Sequence, residues 1–405
     1  MQEPKLTRTI TLPHLILYGM GTMIGAGIYV IIGIIAGYAH FYTPFAFLMA
    51  GLVGLLTAIS YSELSHHFPY SAGAAIYVHQ SFGYDLLSKI VGYLVILSGV
   101  VSCAALANGF AGYAHGLIDI NYQFLNFAFI IVLGILACWR IHFSMWIISI
   151  ISAVEILGLI FIVAVLLPSF DYNIILNKTM TLPSWKELLG LLNATLLAFY
   201  AFIGFEDMVN VVEEVKINTI KKGIIYAFIL TSIIYFLIAI VTVASVDMVI
   251  LSQQYAPFAE ILNQHIRWGG VLISIISIIA TINGGIIQII LSSRVFYGMG
   301  RKKLGLHFFS KVNPVTNTPI NSVLFTISLI IIFAYFFPME QLARITSVAV
   351  LFVFCMVNLS MIKLSRKKVI PKKGFIMFLT PIIAFFMCFI LLMIQLYIEI
   401  TKILN

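Results

Sequence analysis

The stretch Gly19 to Gly37, GMGTMIGAGIYVIIGIIAG, is apolar enough to cross a bilayer, yet it carries Gly19, Gly21, Gly25 and Gly27 within nine residues. Glycine in a helix interior costs about 1 kcal/mol relative to alanine, so this density predicts a helix that stops and restarts between Ile24 and Gly27. In hydrocarbon, non-helical backbone is tolerated only where it is buried in protein or lines a cavity. The interruption therefore predicts a binding site near the middle of a membrane.

Working outward, the 405-residue chain is 61% hydrophobic and 9% charged, where soluble domains carry about 25% charged residues. Eleven apolar segments, 13–37, 43–65, 84–113, 124–140, 143–168, 187–214, 223–246, 269–297, 320–337, 341–362 and 375–401, are each of helix-spanning length. None shows the period-2 alternation of a barrel strand, so the fold class expected is an all-α membrane protein of about 11 transmembrane helices. With the N-terminus in the cytoplasm, eighteen of the 23 lysines and arginines fall on the inner side. The positive-inside rule then predicts a multi-pass protein of the cytoplasmic membrane.

The net charge of +8 is spread over these short clusters with no basic stripe between aromatics, so the lipid bilayer is the partner implied and nucleic acid is not. Cys103, Cys138, Cys355 and Cys388 lie inside apolar runs without metal-ligand spacing and read as packing residues. His66 and His67 beside Glu63 lack a third partner, so no metal site is expected there, and no cofactor is implied. No grouping of His, Ser, Cys and acids makes a nucleophile-base pair, which argues against an enzyme.

A second interruption falls in Phe199 to Asn210, FYAFIGFEDMVN, where Gly204 is followed by Glu206 and Asp207. Adjacent acids at membrane depth cost a few kcal/mol each when they face lipid, so this face is expected to look into protein or water. Gly25 and Gly204 each lie in the first member of a block of five segments, and an odd block length makes the second block run upside-down. The organisation expected is residues 1–12 as a cytoplasmic segment, 13–168 as the first repeat, 169–186 as an extracellular loop, 187–365 as the inverted second repeat, and 366–405 as a basic loop and eleventh helix. Matching interruptions in two inverted halves point to a transporter's substrate site.

Each interruption frees backbone N–H groups where a half-helix starts and carbonyls where one ends. Around Ile24, Gly25, Ala26, Gly27 and Ile28, the N–H groups of a restarting helix would hold a carboxylate. Around Tyr200, Ala201, Phe202, Ile203, Gly204 and Phe205, freed carbonyls would accept bonds from an ammonium group. A free α-amino acid carries both charges and needs no charged side chain. Glu155, alone among apolar residues in SAVEILGLIFIVAV, is expected to couple transport to an ion. It can carry a proton, ligand Na⁺ with Ser274, Ser277 and Thr281, or serve a purely structural hydrogen bond.

These motifs are similar to those of the amino acid, polyamine and organocation permease family. The matching stretches are GTMIGAGIYVIIG in the first segment, YSELSHHFP from Tyr61, FYAFIGFEDMVNVVEEVK from Phe199 and SRVFYGMGRKKLGL from Ser293, and the likeness runs from Thr7 to Lys368. Two departures are INTIKK from Ile217, without the family's proline, and eleven segments where twelve are common. The resemblance implies five-plus-five inverted repeats, with the first, second, sixth and seventh helices rocking against a scaffold. It also implies that Tyr200 closes over substrate, with Phe205 behind it, and that Glu206, and with it Asp207, closes the cytoplasmic side. Cys103, Ala104, Ala107 and Asn108 with Ile279 and Asn283 would surround the substrate's side chain. Small apolar walls favour a neutral amino acid. An exchanger of polyamines or cationic amino acids, using the two acids, is the alternative, and an amino acid sensor without flux is the alternative from another class.

Overall fold

The computed structural model describes residues 8–25, 27–70, 73–139, 145–179, 183–216, 219–246, 251–301, 306–314, 316, 318–370 and 375–404. Among them every named element is helical, as lipid requires of a chain that cannot leave backbone groups unpaired. In order these are α1 (Leu12–Ile24), α2 (Gly27–Ala39), α3 (Thr43–His67), α4 (Gly73–Phe82), α5 (Asp85–His115), α6 (Tyr122–Cys138), α7 (Met145–Leu166) and α8 (Tyr172–Thr179). Then come α9 (Trp185–Ala201), a 3₁₀ stretch Phe205–Glu214, α10 (Thr219–Ser245), α11 (Pro257–His265), α12 (Gly269–Arg301), α13 (Ile320–Phe336), α14 (Met339–Arg366) and α15 (Phe375–Leu404). Each of the eleven apolar segments is occupied by one of these helices or by an interrupted pair.

The same order of elements occurs twice. An interrupted helix (α1 and α2; α9 and the 3₁₀ stretch) is followed by a long helix, a short one (α4; α11), a very long one of 31 or 33 residues (α5; α12), a 17-residue helix (α6; α13) and a fifth (α7; α14). Residues of α4 line a cavity at the end of the molecule where the chain begins, whereas Phe258 of α11 packs edge-on against Tyr29 of α2.

Local sequence fixes several helix ends. Ser184 and Glu187 form a capping box at the start of α9, and the Asn121 side chain accepts bonds from the backbone of Gln123 and Phe124 to start α6. Just before α1, Ile10 and Val215 make a single parallel bridge, with Ile10 N–H donating to the Glu214 carbonyl at 3.0 Å. Between α3 and α10, Lys221 and Glu63 form an ion pair at 2.5 Å. Small residues let the helices approach: the missing side chain of Gly54 leaves room for the Phe228 ring of α10.

Candidate substrate site and vestibule

The first helix does stop. α1 ends at Ile24, and α2 starts at Gly27; Ala26 lies outside the described residues. Gly25 still donates its N–H to Gly21 at 2.9 Å, but the first-turn N–H groups of α2, those of Gly27 to Tyr29, have no acceptor within their own helix. The second interruption is sharper, because α9 ends at Ala201 and Gly204 adopts φ +126°, a conformation that only glycine takes without strain.

The two interruptions touch. A Cβ built on Gly204 would fall 2.5 Å from the carbonyl oxygen of Thr22, and one on Gly27 would fall 2.5 Å from Cα of Ala201. The Thr22 hydroxyl donates to the Gly204 carbonyl at 3.1 Å. Tyr235 of α10 ties the ends together, its hydroxyl donating to the carbonyls of Met23 at 2.8 Å and Ala201 at 3.0 Å. Tyr200 is buried, with its hydroxyl 3.4 Å from that of Ser102. The carbonyl of Tyr200 accepts the N–H of Ile203, so part of the carbonyl set expected to face an ammonium is here satisfied internally.

Glu155 sits beside the first interruption. Its carboxylate Oε1 accepts from Asn283 at 3.2 Å, while Oε2 is buried without a partner and lies 3.8 Å from where a Cβ on Gly25 would be. Its backbone carbonyl accepts the Tyr29 hydroxyl at 2.6 Å, and Tyr113 in turn donates to the Tyr29 carbonyl at 2.6 Å. This chain of bonds pins α2 to α7 and α5.

On the α1 side of the interruptions opens a vestibule of about 1420 Å³, reached by Tyr18 but not by Ile24 or Gly25. Its walls include Tyr18, Tyr61, Glu206, Asp207, Asn283 and Arg294, and its mouth includes Ile10, His14, Asp85, Glu213 and Glu214. Ile24, Gly25, Gly27, Ile28, Tyr200, Ala201, Phe202, Gly204 and Phe205 are not among its lining residues. The expected hollow is therefore displaced from the backbone ends to the space beneath them, because Tyr235 and Thr22 satisfy those ends against each other. Ile203 reaches a small side cavity of about 30 Å³, shared with Glu206, Asp207 and Gln288.

The remaining sequence candidates separate into two groups. Glu206 and Asp207 are brought together at the vestibule's upper wall, Glu206 accepting the Gly204 N–H at 2.9 Å and Asp207 accepting from Gln288 at 3.1 Å. Asn283 joins them there and holds Glu155. Phe205 is instead packed among Tyr61, Phe228 and Phe354, one layer behind the vestibule wall, and Phe202 stacks on Phe228. Asn108 turns away toward Asn126 and the Phe337 carbonyl, and so ties α5 to α6 and to the turn before α14. Cys103 lies against the Gly285 carbonyl of α12, and Ala104 and Ala107 are buried within the same α5 face; Ile279 is half-buried on α12. Nothing in the sequence marks Tyr235, Thr22 and Ser102, since hydroxyls in membrane helices usually bond their own backbone.

A family model described as "Amino acid permease" matches residues 10–402, nearly the whole of the chain. The chain belongs to the amino acid permease family. Among curated proteins it is 27% identical over 381 residues to the mitochondrial cationic amino acid transporter 3 of Arabidopsis thaliana, covering 88% of this chain and 62% of that one. It is 24% identical to the branched-chain amino acid permease BcaP of Bacillus subtilis, covering 90% of this chain and 83% of the relative. It is also 24% identical to the mouse cationic amino acid transporter 4, covering 91% and 61% respectively. The chain thus spans somewhat less than two thirds of the length of these cationic amino acid transporters. The family and these relatives are transporters rather than enzymes.

Proposed function

We propose that the chain is a secondary active transporter that moves an amino acid across the membrane by alternating access, coupled to a proton carried on Glu155. The observation that carries this is the unpartnered Oε2 of Glu155, buried against the Gly25 interruption, with Asn283 linking Oε1 to the vestibule. A bare carboxylate out of water is far more costly than a neutral one, so a proton or a cation accompanies Glu155 whenever the site is closed. Separation of the interruptions frees the N–H groups of α2 and the carbonyls at the end of α9 for a substrate's carboxylate and ammonium. The same movement wets Glu155 through Asn283 and lets its proton leave. The vestibule is the release route, and the N-terminal end of the molecule faces the cytoplasm.

For the substrate's side chain the first reading is a neutral amino acid, with Cys103, Ala104 and Ala107, small and buried against α12 while the interruptions touch, becoming its wall once they separate. A cationic amino acid is the second reading. It is favoured by the vestibule's five carboxylates, Asp85, Glu206, Asp207, Glu213 and Glu214, against the single guanidinium of Arg294, and by the names of the plant and mouse relatives. Uptake of radiolabelled alanine into proteoliposomes, competed by leucine, arginine or putrescine, separates the two.

Coupling is tested by imposing a pH gradient on those proteoliposomes, with and without Na⁺. The expected outcome is gradient-driven accumulation by the native chain that Glu155→Gln lowers by at least about tenfold, with exchange of internal for external substrate retained. Accumulation that follows Na⁺ rather than pH assigns Glu155 to a sodium site, and undiminished pH-driven accumulation by Glu155→Gln removes it from coupling.

A further inference from the structure

The end of the molecule opposite the vestibule holds a buried guanidinium. Among the described arginines Arg344 of α14 alone is buried, its side chain 2% exposed. Its Nε donates to Glu340 at 2.9 Å and lies 3.9 Å from Glu399 of α15. Both terminal nitrogens reach Asn193 of α9 at 3.5 Å, and the guanidinium stands 5.4 Å from the ring centre of Tyr38 in α2. Tyr38 closes the circuit, its hydroxyl donating to the same Glu340 oxygen at 2.8 Å. Two of the four helices, α2 and α9, are the half-helices on the far side of the two interruptions. The other two belong to the last helix of the second repeat and to the eleventh segment.

We infer that Arg344 and its partners form the latch that shuts the outer end of the transport path, and that the latch opens when the vestibule closes. The inference rests on the alternating-access reading above. A polar closure suits a gate better than an apolar one: burying apolar area favours the closed state in proportion to the area, whereas desolvation offsets most of the attraction within a buried ion pair. When α2 and α9 draw away from α14, water takes over the bonds that Tyr38 and Asn193 gave up, while Glu340 stays with Arg344 on the same helix. The two states therefore remain close in free energy, as a cycling transporter requires. Glu399 extends the latch to α15, which gives the eleventh helix a part in gating.

Arg344 is a positioning residue, and its test reads conformation rather than flux. Ser347, one turn along α14, is buried and donates to the Leu196 carbonyl of α9, so it becomes reachable only when α9 leaves α14. With the four native cysteines replaced, Ser347→Cys is exposed to a membrane-impermeant thiol reagent from the side opposite the vestibule. The expected result is slow reaction with the latch intact and about tenfold faster reaction in Arg344→Gln, as the closed population falls. Tyr38→Phe, which removes one hydroxyl and keeps the ring, is expected to raise the rate about twofold to threefold, and it decides the matter if Arg344→Gln does not fold. Unchanged labelling in a folded variant overturns the latch. Because no substrate or ion is needed, the result is independent of whether Glu155 carries a proton.

Discussion

Gly204 shows how one backbone angle commits the site. At φ +126° with the Thr22 carbonyl beneath it, any side chain meets both backbone strain and a collision with an atom that cannot move without shifting α1. Gly204→Ala is expected to lower stability by about 1 to 3 kcal/mol and to abolish uptake, measured by thermal unfolding in detergent and by transport. Tyr235→Phe removes a donor from two buried carbonyls at the same contact and is expected to lower stability by a similar amount, about 1 to 3 kcal/mol, read in the same unfolding assay. The interruption was legible because close packing alone does not call for so many glycines in one apolar run, although Gly19 and Gly21 also make room for Met208 and Ser152, and Glu155 was legible because a lone acid there is costly. Tyr235 was not, since a tyrosine in an aromatic-rich membrane helix carries no mark of the carbonyls that folding will bring to it.

At the scale of elements, the sixth segment holds the largest departure from expectation. Sequence patterning predicts a helix that resumes after Gly204, and the chain resumes instead as ten residues of 3₁₀ helix, Phe205–Glu214. Runs beyond three or four residues are uncommon for this geometry, and at a rise of about 2.0 Å per residue ten residues reach about 5 Å further than in an α-helix. Nothing in residue-by-residue propensity separates these two helices. What holds this one is tertiary: Asp207 tied to Gln288, Phe205 in its aromatic cluster, and the far end tied to Ile10. The bridge at Ile10 also ties the residues just before α1 to the end of the 3₁₀ stretch at the vestibule mouth. Ile10→Pro removes the N–H that reaches Glu214 and is expected to weaken that link by about 1 kcal/mol. Faster hydrogen-deuterium exchange over residues 205–216, with exchange in α5 and α12 unchanged, is the outcome that checks it.

For the whole molecule, the eleven segments and their twofold repetition were legible because segment length and interruption spacing are properties of the chain itself. Which end stands open was not, because that depends on how two half-helices meet and on residues such as Arg344 and Glu399 that lie 55 positions apart. The resulting shape is asymmetric, with a cavity of about 1420 Å³ at the N-terminal end and a latched polar cluster at the other. If the clustered lysines and arginines face the cytoplasm, the open end does too. Gly298 tests this directly, since it lines the vestibule and a Cβ there meets nothing within 4 Å, so a cysteine fits without disturbing the fold. In intact cells, in a background without the native cysteines, Gly298→Cys is expected to react with a membrane-permeant thiol reagent and to resist an impermeant one. Rapid labelling by the impermeant reagent reverses the orientation and with it the direction in which the vestibule releases substrate. On the proposed alternating-access cycle, saturating substrate slows the permeant reaction, because closure around an amino acid would draw α1 and the 3₁₀ stretch together across the opening through which the reagent must pass.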